Sequence, residues 1–354
     1  MPPNQRIILD CERMKHPHTG LYHFCKELGT ALLNQKFENA NLCFYLPEAE
    51  RNVFGADVDY ILHYKLHRFL RKTFSDRTIW HSTYQLSNYP PRKKRGLNIV
   101  KTIHDLNFLH EGKSHHKQKK CLQKIQNAID NADVLVTISQ FVKQEVLNHL
   151  NTKGKEVHVI YNGRNKPRSD DFEKPVGNFE TPFFFTIGTI VQKKNFHVLP
   201  ALLLKNDHAL VISGITQDQD YKQKIIAEAS RLGVAHRVIF TGSVADAQKN
   251  WLMKNCTAFA FPSIAEGFGL PVIEAMQLGT PVLLSKATSL PEIGGPHALY
   301  FNDLSTEGIN NLAMDFLNSN YKEPDRKNLV DWAAQFDWDK AAAQYRNIYS
   351  SLII

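Results

Sequence analysis

With 354 residues and a hydrophobic fraction of 43%, the chain is too long for one domain of ordinary size and too apolar for a disordered one, so two globular domains are expected. No apolar run approaches the length of a membrane span and Met1-Pro2-Pro3-Asn4-Gln5-Arg6 carries no secretory pattern, which makes a cytoplasmic protein the expectation. The scattered cysteines Cys11, Cys25, Cys43, Cys121 and Cys256 show no C-x-x-C spacing and are read as reduced thiols rather than a disulfide framework.

The net charge of +8 is unevenly placed. Residues 1–163 hold 24 Lys and Arg against 15 Asp and Glu, whereas residues 164–354 hold 19 against 20. Such an excess points the first half toward an anionic partner: a membrane surface, a phosphorylated acceptor or nucleic acid. Nucleic acid is the least favoured of these, because no recognised reading module accompanies the charges.

In chain order, Arg6 to Asp10 reads as a first strand and Thr19-Gly20 introduces a helix from Leu21 to about Asn34, with Leu21, Phe24, Leu28, Ala31 and Leu32 at helical spacing. The loop between them, Cys11 to Gly20, lies where the first strand-helix connection of an open α/β sheet meets ligand. A plain helix cap at Thr19-Gly20 is the competing explanation. Asn41 to Leu46 is a second strand, stopped by Pro47. Residues 60–72 predict a basic amphipathic helix: Ile61, Leu62, Leu66, Phe69 and Leu70 share one face, and Lys65, Arg68, Arg71 and Lys72 gather opposite. Such a helix can lie in a membrane interface, or pack on the core with a solvated basic face. The cluster Arg92-Lys93-Lys94-Arg95 and the run Lys117, Lys119, Lys120, Lys124 add to the interfacial case. Further strands follow at Thr78 to Ser82, Asn98 to Ile103, Val134 to Ile138 and Val157 to Ile160, with Ser139 placed to cap a helix from Gln140 to Leu150.

Residues 165–181, rich in Pro, Ser, Asn and charge without periodicity, are read as a linker. The expected division is therefore a basic first domain at 1–164, the linker, a second domain at 182–335, and a terminal helix at 336–354. The second domain opens with the apolar strand Phe183 to Ile187, then Gly188-Thr189 and Lys193-Lys194-Asn195. Ala209 to Gly214 is the next strand, Tyr221 to Leu232 a helix, and Val238 to Val244 a strand and turn containing Gly242. Alternating strands and helices in both halves predict two doubly wound α/β domains.

One stretch organises the second half. Ala258 to Phe261 reads as a buried strand, and Val272 to Leu278 is apolar enough to begin a buried helix, with Pro271 in its first turn. Between them lies Pro262-Ser263-Ile264-Ala265-Glu266-Gly267-Phe268-Gly269-Leu270. The N–H groups of Phe268, Gly269 and Leu270 at a helix start favour phosphate or another anion, and Gly267 and Gly269 let the backbone come close. Glu266 and Glu274 flank that position. Carboxylates repel phosphate, so they would address neutral hydroxyls, and a nucleotide sugar is the ligand that offers both. An ordinary strand-turn-helix with solvated glutamates is the bland alternative.

Glu266-Gly267-Phe268-Gly269-Leu270-Pro271-Val272-Ile273-Glu274-Ala275-Met276 resembles the E-x7-E signature of retaining nucleotide-sugar glycosyltransferases of the two-domain GT-B fold, the group that includes glycosyltransferase family 4. The resemblance implies two Rossmann-like domains facing a cleft, with the C-terminal helix crossing back to the first. It implies that Glu266 contacts and orients the donor hexose without acting as a nucleophile, that Glu274 binds ribose hydroxyls, and that Lys194 neutralises the departing diphosphate together with the Phe268, Gly269 and Leu270 amides. Thr189 stands where the family often has Arg, and Lys193 or Thr189 would partly replace it; a solvated Lys193-Lys194 pair is the alternative. The family's strand-end His-Asp matches His104-Asp105, with His104 closing over the donor sugar. Gly242 and Val244 correspond to the turn that cradles the nucleobase through main-chain groups, and Gly20 is the one glycine left of the family's first-loop glycines.

The expected activity is retaining, metal-independent transfer of a hexose such as mannose or glucose from a GDP- or UDP-linked donor to a glycan acceptor. That acceptor would be a bacterial surface polysaccharide or lipopolysaccharide, lipid-linked where the basic half at 60–72 and 92–95 touches an anionic membrane on its cytoplasmic side. Front-face attack would let the leaving phosphate take the acceptor proton. No cofactor or metal is implied, since the D-x-D triplets at Asp57/Asp59, Asp218/Asp220 and Asp337/Asp339 occur in unrelated contexts. The rival classes are a sugar-nucleotide epimerase of related fold, which needs no acceptor, and a non-catalytic membrane or nucleic-acid adaptor.

Overall fold

The computed structural model describes residues 5–353 except 18, 69–73, 75, 76, 90, 166, 169, 178 and 320–322, and gives the backbone alone at 65, 68, 323 and 324. They form two compact units, one of Met1–Gly163 with Phe336–Ile354 and the other of Arg164–Gln335. Each is a parallel sheet flanked by helices.

In the first unit the order is β1 (Gln5–Asp10), α1 (Gly20–Leu33), β2 (Ala40–Leu46), β3 (Asp59–Leu62), β4 (Thr78–Ser82), β5 (Leu97–Ile103), α2 (His115–Asp130), β6 (Val134–Thr137), α3 (Gln140–His149) and β7 (Val157–Val159). Among the described residues the sheet runs β3-β2-β1-β4-β5-β6-β7, every pair parallel. Helices cover both faces of such a sheet, and the central strands are accordingly apolar throughout: Ile7, Ile8 and Leu9 are all fully buried. Ser139 and Thr19 cap their helices, each side-chain oxygen accepting from the main-chain N–H three residues on.

The helix expected over 60–72 is not what the structure shows. Asp59–Leu62 is an edge strand, with Tyr45 opposite Ile61 and Leu46 opposite Leu62, followed by a short 3-10 turn at Lys65–Arg68. The reason lies in Tyr60-Ile61-Leu62, a sequence that fits a pleated edge, where the Tyr60 hydroxyl receives a hydrogen bond from Phe54 N (3.0 Å) and donates to Gly55 O (2.8 Å). Phe69 to Lys72 lie outside the described residues.

The second unit contains β8 (Phe183–Ile187), β9 (Ala209–Ser213), α4 (Gln219–Arg231), β10 (Val238–Gly242), α5 (Asp246–Asn255), β11 (Ala258–Phe261), α6 (Leu270–Gln277), β12 (Val282–Leu284), α7 (Leu290–Gly294), β13 (Leu299–Tyr300), α8 (Thr306–Asn318) and α9 (Glu323–Ala333). Its sheet runs β10-β9-β8-β11-β12-β13, again parallel. In both units the strand order reverses beside the first strand, at β1/β4 and at β8/β11, where the connections diverge and leave an opening at the carboxyl ends.

The terminal helix α10 (Trp338–Leu352) belongs to the first unit. A buried relay fastens it: Tyr349 OH lies 2.6 Å from His81 Nδ1, His81 Nε2 lies 2.8 Å from Thr102 Oγ1, and Thr102 Oγ1 lies 2.8 Å from Tyr345 OH. At its start, a Cβ added to Gly163 would fall 2.2 Å from Trp338 N, so only glycine lets the chain pass there.

Burial lowers the His81 pKa to about 3, so this imidazole takes up a proton near pH 6.5 when unfolded but not when folded. His104, lowered to about 4, acts in the same sense, while Asp10, raised to about 7 mainly by burial, acts in the opposite one. Two histidines against one carboxyl leave the unfolded chain binding more protons between about pH 6.5 and 4, so stability falls on acidification through that window. Melting curves across that range should show this, and His81→Gln should flatten the slope; an unchanged slope would contradict the buried neutral imidazole.

Candidate active site

The β8/β11 break in the second unit is where charged side chains meet. β8 ends at Ile187; Gly188, Thr189 and a single 3-10 turn at Gln192–Lys194 follow, and Asn195 closes the turn in the left-handed region (φ 57°). β11 ends at Phe261 and passes into Pro262 and Ser263. The Lys193 carbonyl joins the two loops, accepting from Ile264 N (2.9 Å) and Ser263 Oγ (3.3 Å).

This stitching brings Lys194 Nζ to 2.6 Å from Glu266 Oε1, and Ser263 Oγ donates to the same oxygen at 2.5 Å. Both charged side chains are mostly buried, at 14% and 13% exposure. The ammonium also sits 4.7 Å from the centre of the Phe261 ring. Burial pushes the Glu266 carboxyl up, but Lys194 and Lys193, with the hydrogen bonds from Lys194 and Ser263, outweigh it and hold the pKa below the ordinary value. Glu266 is therefore a carboxylate at neutral pH. Its backbone is fixed as well: Glu266 N donates to Thr288 Oγ1 (2.8 Å), and Ser289 Oγ reaches the carbonyls of Glu266 (2.9 Å) and Phe268 (3.0 Å).

Phe268 is buried, Gly269 takes φ +106° as the residue capping α6, and Leu270 opens the helix with Pro271 next. Helix-start amides have no intrahelical acceptor and carry the positive end of the dipole, which makes this a place for an anion beside Lys194. Glu274, one turn into α6, is buried and pairs with Lys249 Nζ on α5 (2.9 Å), with Asn165 Nδ2 at 3.4 Å on the same oxygen.

The neighbouring strand ends are closely packed. Gly214, at φ +136°, could not carry a side chain, because its Cβ would lie 1.9 Å from Gly188 O. Gly214 N donates to Gly242 O at 2.8 Å, tying β9 to the exposed end of β10. Thr189 is half-buried beside Gly188, and Val244 packs on the apolar core below that edge.

In the first unit His104 is buried at the end of β5. Its Nε2 donates to Thr83 O (2.7 Å), its main-chain N–H donates to Gln85 Oε1 (3.0 Å), and Phe24 meets its ring edge-on at 4.6 Å. Since burial keeps the ring neutral, the proton resides on Nε2 and Nδ1 is an acceptor. Gly20 begins α1 with nothing within 4 Å of an added Cβ, and the adjacent cap belongs to Thr19, whose Oγ accepts from Tyr22 N at 3.3 Å.

Lys193, Lys194, Glu266 and Phe268 to Leu270 thus lie around one strand-end opening. Lys249, Asn165 and Thr288 carry no local sign of these roles in the sequence, because their partners are 22 to 109 positions away. Two of the three D-x-D triplets turn out to be helix caps: Asp218 accepts from Tyr221 N, and Asp337 from Asp339 N. Among the described residues, no group of three or more His, Cys, Asp or Glu converges in a metal-binding arrangement.

Residues 167–335 match the family described as glycosyl transferases group 1, and residues 45–166 match glycosyltransferase family 4. The chain is a glycosyltransferase of GT-B fold. O-antigen chain mannosyltransferase B of Escherichia coli is 24% identical over 98% of this chain and 100% of that protein. Serotype-specific mannosyltransferase WbdA of Escherichia coli is 30% identical over 60% of this chain but only 28% of its own length. In fold, this glycosyltransferase resembles sucrose-phosphate synthase from Thermosynechococcus elongatus (TM-score 0.76, 19% identity, 99% of both chains). It also resembles the Anabaena protein HepE in complex with UDP and glucose (TM-score 0.75, 18% identity, 98% of this chain and 100% of that one).

Proposed function

We propose that this glycosyltransferase moves a mannosyl group, with retention and without a metal ion, from a nucleotide sugar to a hydroxyl of a growing surface glycan. The observation that carries this is the mostly buried Lys194–Glu266 pair at the β8/β11 break, beside the α6 helix start. In the free protein Lys194 rests on Glu266. A donor diphosphate offers the ammonium a stronger anionic partner, stabilised further by the Gly269 and Leu270 amides, and releases an oxygen of Glu266 to accept from a sugar hydroxyl.

As the bond between the anomeric carbon and the diphosphate oxygen breaks, negative charge grows on the leaving group, where Lys194 is most needed. The acceptor oxygen bonds to the same face of the anomeric carbon and its proton passes to the departing phosphate oxygen. Glu274 is assigned to the ribose, and the neutral His104 ring to the donor sugar. Main-chain groups near Gly242 and Val244 would meet the base. Mannose is favoured over glucose because the curated relatives named mannosyltransferase include O-antigen chain mannosyltransferases B and RfbU. GDP-mannose is the donor to try first.

Release of nucleoside diphosphate from GDP-mannose, UDP-glucose and other donors should require a mannan-type or O-antigen acceptor, persist in chelator, and yield a linkage of the donor's anomeric configuration by NMR. Conversion of donor to an isomeric sugar without acceptor would establish an epimerase instead. Loss of activity in chelator with recovery on adding manganese would overturn the metal-free chemistry.

A peripheral membrane role rests on α2 rather than on 60–72. Lys117, Lys119, Lys120 and Lys124 are all exposed on that helix, and its first turn holds no acid to balance them. Cations at a helix start oppose the dipole, so the arrangement costs stability unless an anion faces it. No helix among the described residues is long and apolar enough to cross a membrane. Sedimentation with vesicles containing anionic lipid should recover the protein at low salt, and Lys117→Glu/Lys120→Glu should abolish this; equal binding to neutral vesicles would contradict it.

A further inference from the structure

Glu274 is a buried carboxylate with an uneven environment. Lys249 Nζ lies 2.9 Å and Asn165 Nδ2 3.4 Å from its Oε1. Among the described residues none donates to Oε2, and that oxygen is not sealed off from solvent. One oxygen is saturated and the other is open.

The brace is built from three separate parts of the second unit: α6 carries Glu274, α5 carries Lys249, and Asn165 lies in the segment entering the unit from Gly163. Lys249 is itself 13% exposed and holds a second carboxylate, Asp246 Oδ1, at 3.2 Å one turn back on its own helix. Burial works against its charge, but Glu274 and Asp246 more than offset this, so the ammonium is retained. A salt bridge that only stabilised the fold would gain by engaging both carboxylate oxygens, and a buried ion pair is in any case weak evidence of stability. Here the geometry instead fixes the plane of the carboxylate and leaves one acceptor pointing away from the brace.

We propose that Lys249 is a positioning residue: with Asn165 it clamps Oε1 of Glu274, so that Oε2 is presented in one orientation to accept from the vicinal hydroxyls of the donor's ribose. This rests on the assignment of the second unit to the nucleotide sugar and adds how that site selects ribonucleotides. A carboxylate swinging freely would still attract a hydroxyl, but with less discrimination between a ribose and its deoxy analogue, since rejecting a missing hydroxyl requires an acceptor held where the hydroxyl should be.

The test is calorimetric binding of GDP and UDP and of their 2′-deoxy and 3′-deoxy counterparts to the full chain. The wild-type protein should bind one ribonucleotide at least about tenfold more tightly than a deoxy form. Lys249→Met should lose most of that ratio, chiefly by weakening the ribonucleotide, while Lys249→Arg keeps part of it. Asn165→Ala, which removes the longer contact without stranding a charge, should lower the ratio in the same direction by less, and remains informative if Lys249→Met fails to fold. A purely structural Lys249 would weaken ribo and deoxy forms equally, and an unchanged ratio in both variants would overturn the proposal while leaving the donor site intact. If the wild-type protein binds none of these nucleotides, the donor assignment itself falls, and the proposal with it.

Discussion

The second unit depends on keeping two opposite charges together in a nearly dry place at the end of a parallel sheet. Removing Lys194 would leave the mostly buried Glu266 carboxylate without its paired ammonium, a loss of about 3 kcal/mol or more in comparable sites. Much of the local architecture serves to avoid that condition: the Lys193 carbonyl binding Ser263 and Ile264, Thr288 and Ser289 fixing the Glu266 backbone, and Phe261 beneath the ammonium. The strand order makes the place available. Because connections leave β8 and β11 in opposite directions, no crossover covers the gap between their carboxyl ends.

The same logic runs through the two acidic positions of the central stretch. Glu266 is neutralised by a lysine from the β8 loop, and Glu274 by a lysine from α5. Glu274 is buried and Glu266 mostly so, yet each lysine occupies only one oxygen. A pair of half-engaged carboxylates around a helix start suits a ligand that is anionic in the middle and rich in hydroxyls at both ends. The first unit treats its polar interior differently: His81, Thr102, Tyr345 and Tyr349 satisfy one another and lock α10 to the sheet.

Much of this was legible in the sequence because parallel strands and strand-turn-helix junctions leave local marks. Runs such as Phe183-Phe184-Phe185 and Ala258-Phe259-Ala260-Phe261 are apolar on both faces, and Pro271 marks the first turn of α6. The stretch around 60–72 misled because its apolar spacing fits a helix, whereas Tyr60-Ile61-Leu62 is captured by the exposed edge of β2. Tertiary pairing overrode local pattern. Lys249 could not have been found, since its nearest signal, Asp246 one turn earlier, is an ordinary surface ion pair by sequence and its decisive partner lies 25 positions away. At Gly20 the structure shows nothing within 4 Å of an added Cβ, and the helix cap is the Thr19 side chain.

The central claim is that Lys194 exchanges Glu266 for the donor's diphosphate, and titration calorimetry of the free nucleoside diphosphate tests it without acceptor or turnover. Glu266→Gln removes the competing anion and should tighten nucleoside diphosphate binding by several-fold, whereas Lys194→Met should weaken it by about tenfold or more. Unchanged affinity in both variants, in protein that remains folded, would show that the diphosphate does not bind at the β8/β11 break and would contradict the account.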